Sequence, residues 1–421
     1  MTVDVGPAGA EWLRRMGEAT GPDAFGQLEA LARSLRGMRV EMVNSTAAGG
    51  GVAEILHRLV RLLNGLGVDT RWHVLPGDDR FFRITKAVHN GLHGAHAEIG
   101  EDDWEHFLEV AAAGAAGMDL AGDLVLVHDP QPVALASLLR RPGQVWVWRC
   151  HIDLSAADVR VWERLSPFVE SHDAAVFSHA DFVPPLPIPA YLVPPSIDPL
   201  SDKNRELDPD EERALLAPFD LPTRVPLVTQ VSRFDRLKDP LGVLEAFELV
   251  RREEPAHLVL AGGTASDDPE GAEVLAEVRA RAHGRHDVTL LDLPPDAHRV
   301  INALQRRSAV VVQKSLREGF ALTVAEALWK RRAVVAGAVG GIPLQVLHER
   351  TGLLVRSVPG CAHAITRLLR SPELRRRLAR EGHEHVRRNF LLPREAIDYL
   401  AVFASLLDAH APRVAGPRPA A

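Results

Sequence analysis

Residues 39–68 read RVEMVNSTAAGGGVAEILHRLVRLLNGLGV. Residues 39–44 predict a short buried strand, and 52–66 a helix with apolar residues at helical spacing. Gly49, Gly50 and Gly51 stand where strand gives way to helix. Bare backbone at such a point serves either a tight turn or the close approach of another group. The spaced G-x-G-x-x-G pattern is absent, which disfavours a dinucleotide.

Strand and helix go on alternating outward from this unit. Helical periodicity over 8–37 precedes it. Apolar runs follow at 69–77 (DTRWHVLPG), 123–130 (DLVLVHDP), 144–151 (QVWVWRCH), 174–182 (AAVFSHADF) and 191–198 (YLVPPSID). Continuous apolar strands between helices are what a parallel sheet covered on both faces requires. A polar, proline-punctuated stretch over 194–213 reads as a linker. The alternation then restarts with strands in 226–234, 256–263, 287–294, 309–315 and 333–341, and residues 361–390 read as helical. The class is α/β with two Rossmann-like domains, 1–198 (helical extension 8–37) and 199–385. A C-terminal helix over 386–410 and a disordered tail over 411–421 complete the expected organisation. Ligands of such sheets bind beyond the carboxyl ends of strands, so the expected site is the cleft between the two domains.

Composition narrows the function. The net charge is −7 with pI about 6.3, which offers no basic field to nucleic acid. Only five lysines stand among the 49 basic residues, a bias that carries no functional meaning alone. Cys150 and Cys361 are far apart, which fits free thiols in a reducing compartment rather than a disulfide or zinc framework. Neither a signal peptide nor an apolar run of membrane-spanning length is read in the sequence. The expectation is a soluble, cytoplasmic protein.

The strongest chemical signal is SLREGFALTVAEALW, 315–329, after the strand AVVVQKS. Glu318 closes the strand-to-helix loop, Gly319, Phe320, Ala321 and Leu322 are expected to open the helix, and Glu326 lies about two turns beyond Glu318. Two carboxylates so spaced, with first-turn amides and the positive helix end between them, suit a nucleotide sugar. One carboxylate accepts from sugar hydroxyls, the amides hold a diphosphate, and the other accepts from ribose. A glutamate near a helix start also serves the dipole alone. In VSRFDRLKDP, 231–240, Arg233 and Lys238 fall beyond a strand end. Two cations there neutralise a diphosphate and stabilise it as it departs. Read by itself, this motif is a pair of solvated charges. No His/Cys cluster is read and no metal is implied.

These residues resemble the donor site of retaining glycosyltransferases of GT-B fold, two Rossmann-like domains facing across a deep cleft. NSTAAGGGVAEIL, VHDPQP, WRCHIDLS, VVVQKSLREGFALTVAEALWK and AVVAGAVGGIPLQV together resemble the trehalose synthase and trehalose phosphorylase branch, over roughly residues 35–400. The resemblance implies that Arg233 and Lys238 bind the donor diphosphate, Glu318 the donor glucose and Glu326 its ribose. It brings Gly49–Gly51 and the Gly340-Gly341 loop to the donor, although Gly340-Gly341 also reads as a plain turn. Ala321 departs from the usual glycine and is expected to resist positive φ while leaving its amide available.

His128, Asp129 and Gln131 follow one strand end, and Arg149, His151 and Asp153 the next, where an acceptor sugar is gripped. A lone histidine there is usually structural. The resemblance makes His151 the counterpart of an active-site histidine near the donor sugar. Glu54 lies in a first helical turn, with acceptor contact set against dipole complementarity. The implied reaction makes α,α-trehalose reversibly from a nucleoside-diphosphate glucose and glucose, small molecules all, with no cofactor. Phosphate-dependent trehalose phosphorylysis and a non-catalytic nucleotide-sugar sensor are the alternatives. Family members are often homodimers, a state on which the sequence is silent.

Overall fold

The computed structural model describes residues 1–47, 51–263 and 269–410. The chain forms two compact units: Met1–Pro194 with the chain from Pro393 onward, and Pro195–Leu392. In the first, seven strands make one sheet: β1 Thr2–Val3, β2 Arg39–Asn44, β3 Asp69–Val74, β4 Leu124–His128, β5 Val145–Arg149, β6 Ala174–Phe177 and β7 Ala190–Leu192. Their order is β1-β3-β2-β4-β5-β6-β7, with every pairing parallel except β1 against β3. In the second, β8 Leu227–Val231, β9 His257–Gly262, β10 Val288–Asp292, β11 Val310–Gln313, β12 Ala333–Gly337 and β13 Leu353–Val355 order as β10-β9-β8-β11-β12-β13, all parallel.

The apolar runs explain the sheets. Every residue of β4, β5, β8, β9 and β12 is buried, as strands covered by helices on both faces must be. In the first unit Trp146, Trp148, Phe81, Phe107 and Phe177 fill the core. In the second, Phe247, Val243 and Leu260 belong to one cluster, and Val324, Leu328, Ile342 and Phe390 to another. The helix Gly51–Gly65 buries Leu56, Leu59, Leu62 and Leu63, the periodicity read in the sequence.

The strand order decides where a site can form. Chain direction across the sheet reverses between β2 and β4 in the first unit and between β8 and β11 in the second. The crevice beyond the carboxyl ends of such strands is where ligands bind.

Several elements differ from expectation. The region 8–37 is two helices, Ala10–Thr20 and Pro22–Ser34, broken at Gly21 with φ 104°. The stretch read as a linker ends in the helix Pro209–Leu216, capped by Asp208. The helical C-terminal region is three helices, Val358–Arg370, Pro372–Asn389 and Leu392–His410, with prolines in the first turns. Among the described residues, no helix is long and apolar enough to cross a membrane.

Candidate active site

In the second unit, the loops after β8 and β11 meet. Gln230, buried near the end of β8, donates to Lys238 O at 2.8 Å. Asp235 Oδ1 accepts from Lys238 N at 3.0 Å and caps the short turn Arg236–Lys238. Asp239, at φ 50°, caps the helix Pro240–Arg251 through Gly242 N and pairs with Lys314. The backbone around Lys238 is thus fixed by buried side chains before any ligand arrives. Lys238 Nζ donates to Glu318 Oε2 at 2.6 Å, and Ser315 Oγ reaches the same oxygen at 3.2 Å. Arg233 Nη2 lies 2.9 Å from Asp235 Oδ2, with its side chain 56% exposed. Glu318, 80 residues beyond Lys238, is thus brought to the loop that carries Lys238, and Asp235 ties Arg233 to the same loop.

Glycines make this packing possible. A Cβ on Gly340, at φ 52°, would stand 1.6 Å from Glu318 O, and one on Gly262 1.7 Å from Ser232 O. Gly341 N donates to Gly319 O at 3.0 Å, and a Cβ on Gly341 would meet that oxygen at 2.6 Å. Gly340 and Gly341 are thus the bed on which the Glu318 loop lies, more than a plain turn.

Two details correct the sequence reading. Gly319, Phe320 and Ala321 precede the helix, which runs Leu322–Trp329, so Glu326 sits little more than one turn into it. Ala321 does adopt positive φ, 69°, as the residue before that helix. The chain is held at Gly319 O by Gly341 and at Phe320 O by Gln345, and it enters the helix through this left-handed step. For an alanine that costs about 1–2 kcal/mol. The Leu322 and Thr323 amides then stand at the open helix end without intrahelical acceptors. Glu326 is buried, and its carboxylate hydrogen-bonds no other described residue.

Lys330, just past this helix, was not singled out in the sequence. It is buried and donates to Gln305 Oε1 at 2.7 Å, Asn204 Oδ1 at 2.9 Å and Glu326 O at 3.2 Å. Burial pushes its ammonium down to about 7. Lys314 and Asp239 were likewise missed, because an isolated lysine at a strand end carries no spacing signal.

In the first unit, His128 ends β4 and His151 follows β5. His128 Nδ1 and His151 Nε2 are 3.0 Å apart, with the rings stacked at 5.4 Å. Burial, then the nearby Arg149 charge, pushes His128 down to about 3 and holds His151 well below its ordinary value. Both rings are neutral at pH 7, one donating to the other. Asp129, at φ 64°, accepts from His151 N at 2.8 Å, and burial pushes its carboxyl up to about 6. Burial likewise raises the Cys150 thiol, which makes it a poor nucleophile.

The remaining candidates scatter in role. Arg149 ends β5, is fully buried and donates to Ser178 Oγ at 3.0 Å, while its Nε and Nη1 have no hydrogen-bond partner among the described residues. Asp153 Oδ1 accepts from Ser155 N at 2.9 Å and shapes its own turn. Glu54 pairs with Arg58 one helical turn on. Gln131 is half-buried. Gly49 and Gly50 lie outside the described residues. Gly51 opens the helix Gly51–Gly65, and a Cβ there would meet nothing within 4 Å, so packing gives no reason for this glycine. The loop's near side is held by Asn44, whose side chain donates to Thr46 O and accepts from Trp72 Nε1, and by His57 against Ala47 O. Among the described residues, no group of three or more His, Cys, Asp or Glu is placed to hold a metal ion.

Comparison with known proteins adds to this geometry. Residues 42–184 match the family model "Trehalose synthase, N-terminal domain", and 212–385 match "Glycosyl transferases group 1". The chain is 41% identical to the trehalose synthase of Rubrobacter xylanophilus, over 91% of this chain and 94% of that one. It is 40% identical to the trehalose synthase of Pyrococcus horikoshii, over 92% and 94%. A trehalose phosphorylase of Pleurotus pulmonarius is more distant, 28% identical over 84% of this chain and 55% of that one. Among solved structures, the sucrose-phosphate synthase from Thermosynechococcus elongatus superposes with TM-score 0.68 at 20% identity, over 88% of this chain and all of that one. The fold is that of the GT-B glycosyltransferases.

Proposed function

The chain belongs to the trehalose synthase family within the group 1 glycosyltransferases, and we propose that it transfers glucose from a nucleoside-diphosphate glucose to the anomeric hydroxyl of free glucose, making α,α-trehalose. It is a trehalose-forming glycosyltransferase. The observation that carries the site assignment is the junction of Lys238, Glu318 and Ser315 beside Arg233, at the point where strand order reverses.

In this reading Arg233, Lys238 and the Leu322 and Thr323 amides hold the donor diphosphate. The glucose C1–O bond breaks as the acceptor oxygen bonds to C1 on the same face, and the acceptor proton passes to the departing diphosphate. Cations and amides aimed at that developing charge supply most of the rate. Glu318, held by Lys238, accepts from donor-glucose hydroxyls, and Glu326 accepts from ribose. Gly340 and Gly341 support the donor loop, and Gly49–Gly51 let backbone approach the phosphates. The neutral pair His128–His151 orients a sugar hydroxyl without adding a charge, and Asp129 positions His151 through its backbone. Gln131, Arg149, Asp153 and Glu54 shape the acceptor side. The reaction runs in both directions, in a soluble, cytoplasmic protein.

A donor screen tests the proposal. Purified protein is mixed with glucose and ADP-, UDP- or GDP-glucose, and separately with glucose 1-phosphate. Trehalose from a nucleotide donor alone is the expected result and names the base. Trehalose from glucose 1-phosphate alone makes the chain a phosphorylase. Nucleotide-sugar binding without product makes it a sensor.

A further inference from the structure

The amino-terminal ends of β8, β11 and β12 lie at the edge of the second sheet opposite Lys238 and Glu318. A cavity of about 490 Å³ opens there, and its lining includes Arg224, Arg307, Arg331, Arg332, Arg375 and Arg376 but no carboxylate. In a chain with 56 acidic against 49 basic side chains, such a surface is not a reflection of overall charge. Elsewhere in the unit arginines meet carboxylates, as Arg205 meets Glu211 and Arg251 meets Asp287. Among the described residues, none of the six cavity arginines forms an ion pair.

Neutral groups hold four of them in place. Arg332 Nε donates to Lys330 O at 3.2 Å, Arg307 Nη2 to Thr223 O at 3.1 Å, and Arg375 Nη1 to Leu368 O at 3.2 Å. Arg331 Nη2 meets His383 Nε2 at 3.1 Å. Each bond spends one donor of a five-donor guanidinium and neutralises no charge. Arg332 and Arg375 are both held below their ordinary value, by burial first; at Arg332 the charges of Arg306 and Arg375 add to this against the opposing pull of Glu212 and Glu206, and at Arg375 the charge of Arg376 adds to it. Like charges fixed together in a partly desolvated cavity repel unless an anion joins them, and planar guanidinium forks match phosphate oxygens.

We propose that this cavity binds a small phosphate-bearing polyanion, at a site separate from the donor site and independent of the reading given for it. An anion there also bears on the donor helix. Arg331 and Arg332 directly follow Lys330, whose ammonium bonds Glu326 O at the end of the helix Leu322–Trp329.

Calorimetric titration of the full chain with sodium tripolyphosphate, and separately with glucose 6-phosphate, tests this. The wild type is compared with the triple variant Arg224→Ser, Arg331→Asn, Arg376→Ser. All three side chains are exposed, and asparagine suits the positive φ at 331. The wild type is expected to bind one more equivalent of anion than the variant, with basal turnover equal in the two. Tighter binding of tripolyphosphate marks an oligophosphate as the occupant, and tighter binding of glucose 6-phosphate a phosphorylated sugar. Equal stoichiometry and affinity in wild type and variant, or binding of neither anion, would overturn the proposal.

Discussion

Lys238 and Glu318 are each other's counter-ion at 2.6 Å, with side chains 19% and 10% exposed. In the proposed reading a diphosphate arriving at Lys238 shares that cation, and the lysine acts on leaving-group charge while keeping the carboxylate oriented for sugar hydroxyls. Lys238→Ala is expected to lower kcat by about a hundredfold or more with an unchanged circular dichroism spectrum. Near-normal turnover in this variant would remove the role assigned to Lys238. Glu326 is different: in the proposed reading its carboxylate meets only the donor ribose, which does not react. Glu326→Gln is therefore expected to raise KM for the nucleotide donor with little change in kcat, and a fall in kcat at constant KM would contradict a ribose contact. Lys330 supports the same helix from beneath. Lys330→Met leaves Asn204 Oδ1 and Gln305 Oε1 buried without their donor, and is expected to cost about 2–4 kcal/mol in urea unfolding.

At the scale of elements, loops at strand ends are held by what glycine permits. Gly340→Ala would place a methyl carbon against Glu318 O, so both melting temperature and turnover should fall together. Gly51→Ala meets open space at a helix start, so stability should hold within about 0.5 kcal/mol. Turnover in Gly51→Ala then separates the two readings of the triple glycine. A loss supports close approach by substrate, and full activity leaves only the turn. The strands and the Arg233, Lys238 and Glu318 set were legible because apolar runs, turn residues and paired charges leave local patterns. The left-handed Ala321 was not legible. The residues just before it are held by Gly341 at Gly319 O and by Gln345 at Phe320 O, partners that only the tertiary fold supplies. The lysine contacts at positions 314 and 330 were hidden for the same reason, since their partners lie 75 and 126 residues away.

At the scale of the whole molecule, buried histidines set the response to acid. Burial pushes His128 down to about 3 and His172 to about 4, and holds His151 well below 6.5. Between these values and 6.5 the unfolded chain binds more protons, so stability rises with pH across that window and falls as pH drops through it. Asp129 works the other way. Raised from 3.8 to about 6, it favours the fold at low pH and loses that contribution as pH rises through 6. Three histidines outweigh one carboxyl, so the urea midpoint is expected to fall from pH 7 to pH 5, and a flat or rising midpoint would contradict these burials. The two-unit arrangement was readable from the alternation of strands and helices. The arginine cavity was not, because its lining comes from four separate stretches of chain that only the sheet brings together. The central claim, transfer of a glucosyl group to free glucose with retention, is tested most directly by following the donor carbon itself. Nucleoside-diphosphate glucose labelled with carbon-13 at C1 is incubated with protein and unlabelled glucose, and the products are read by NMR. The account predicts the label in an α-configured anomeric carbon of α,α-trehalose. Label in a β-configured linkage, or only in free glucose, would contradict it.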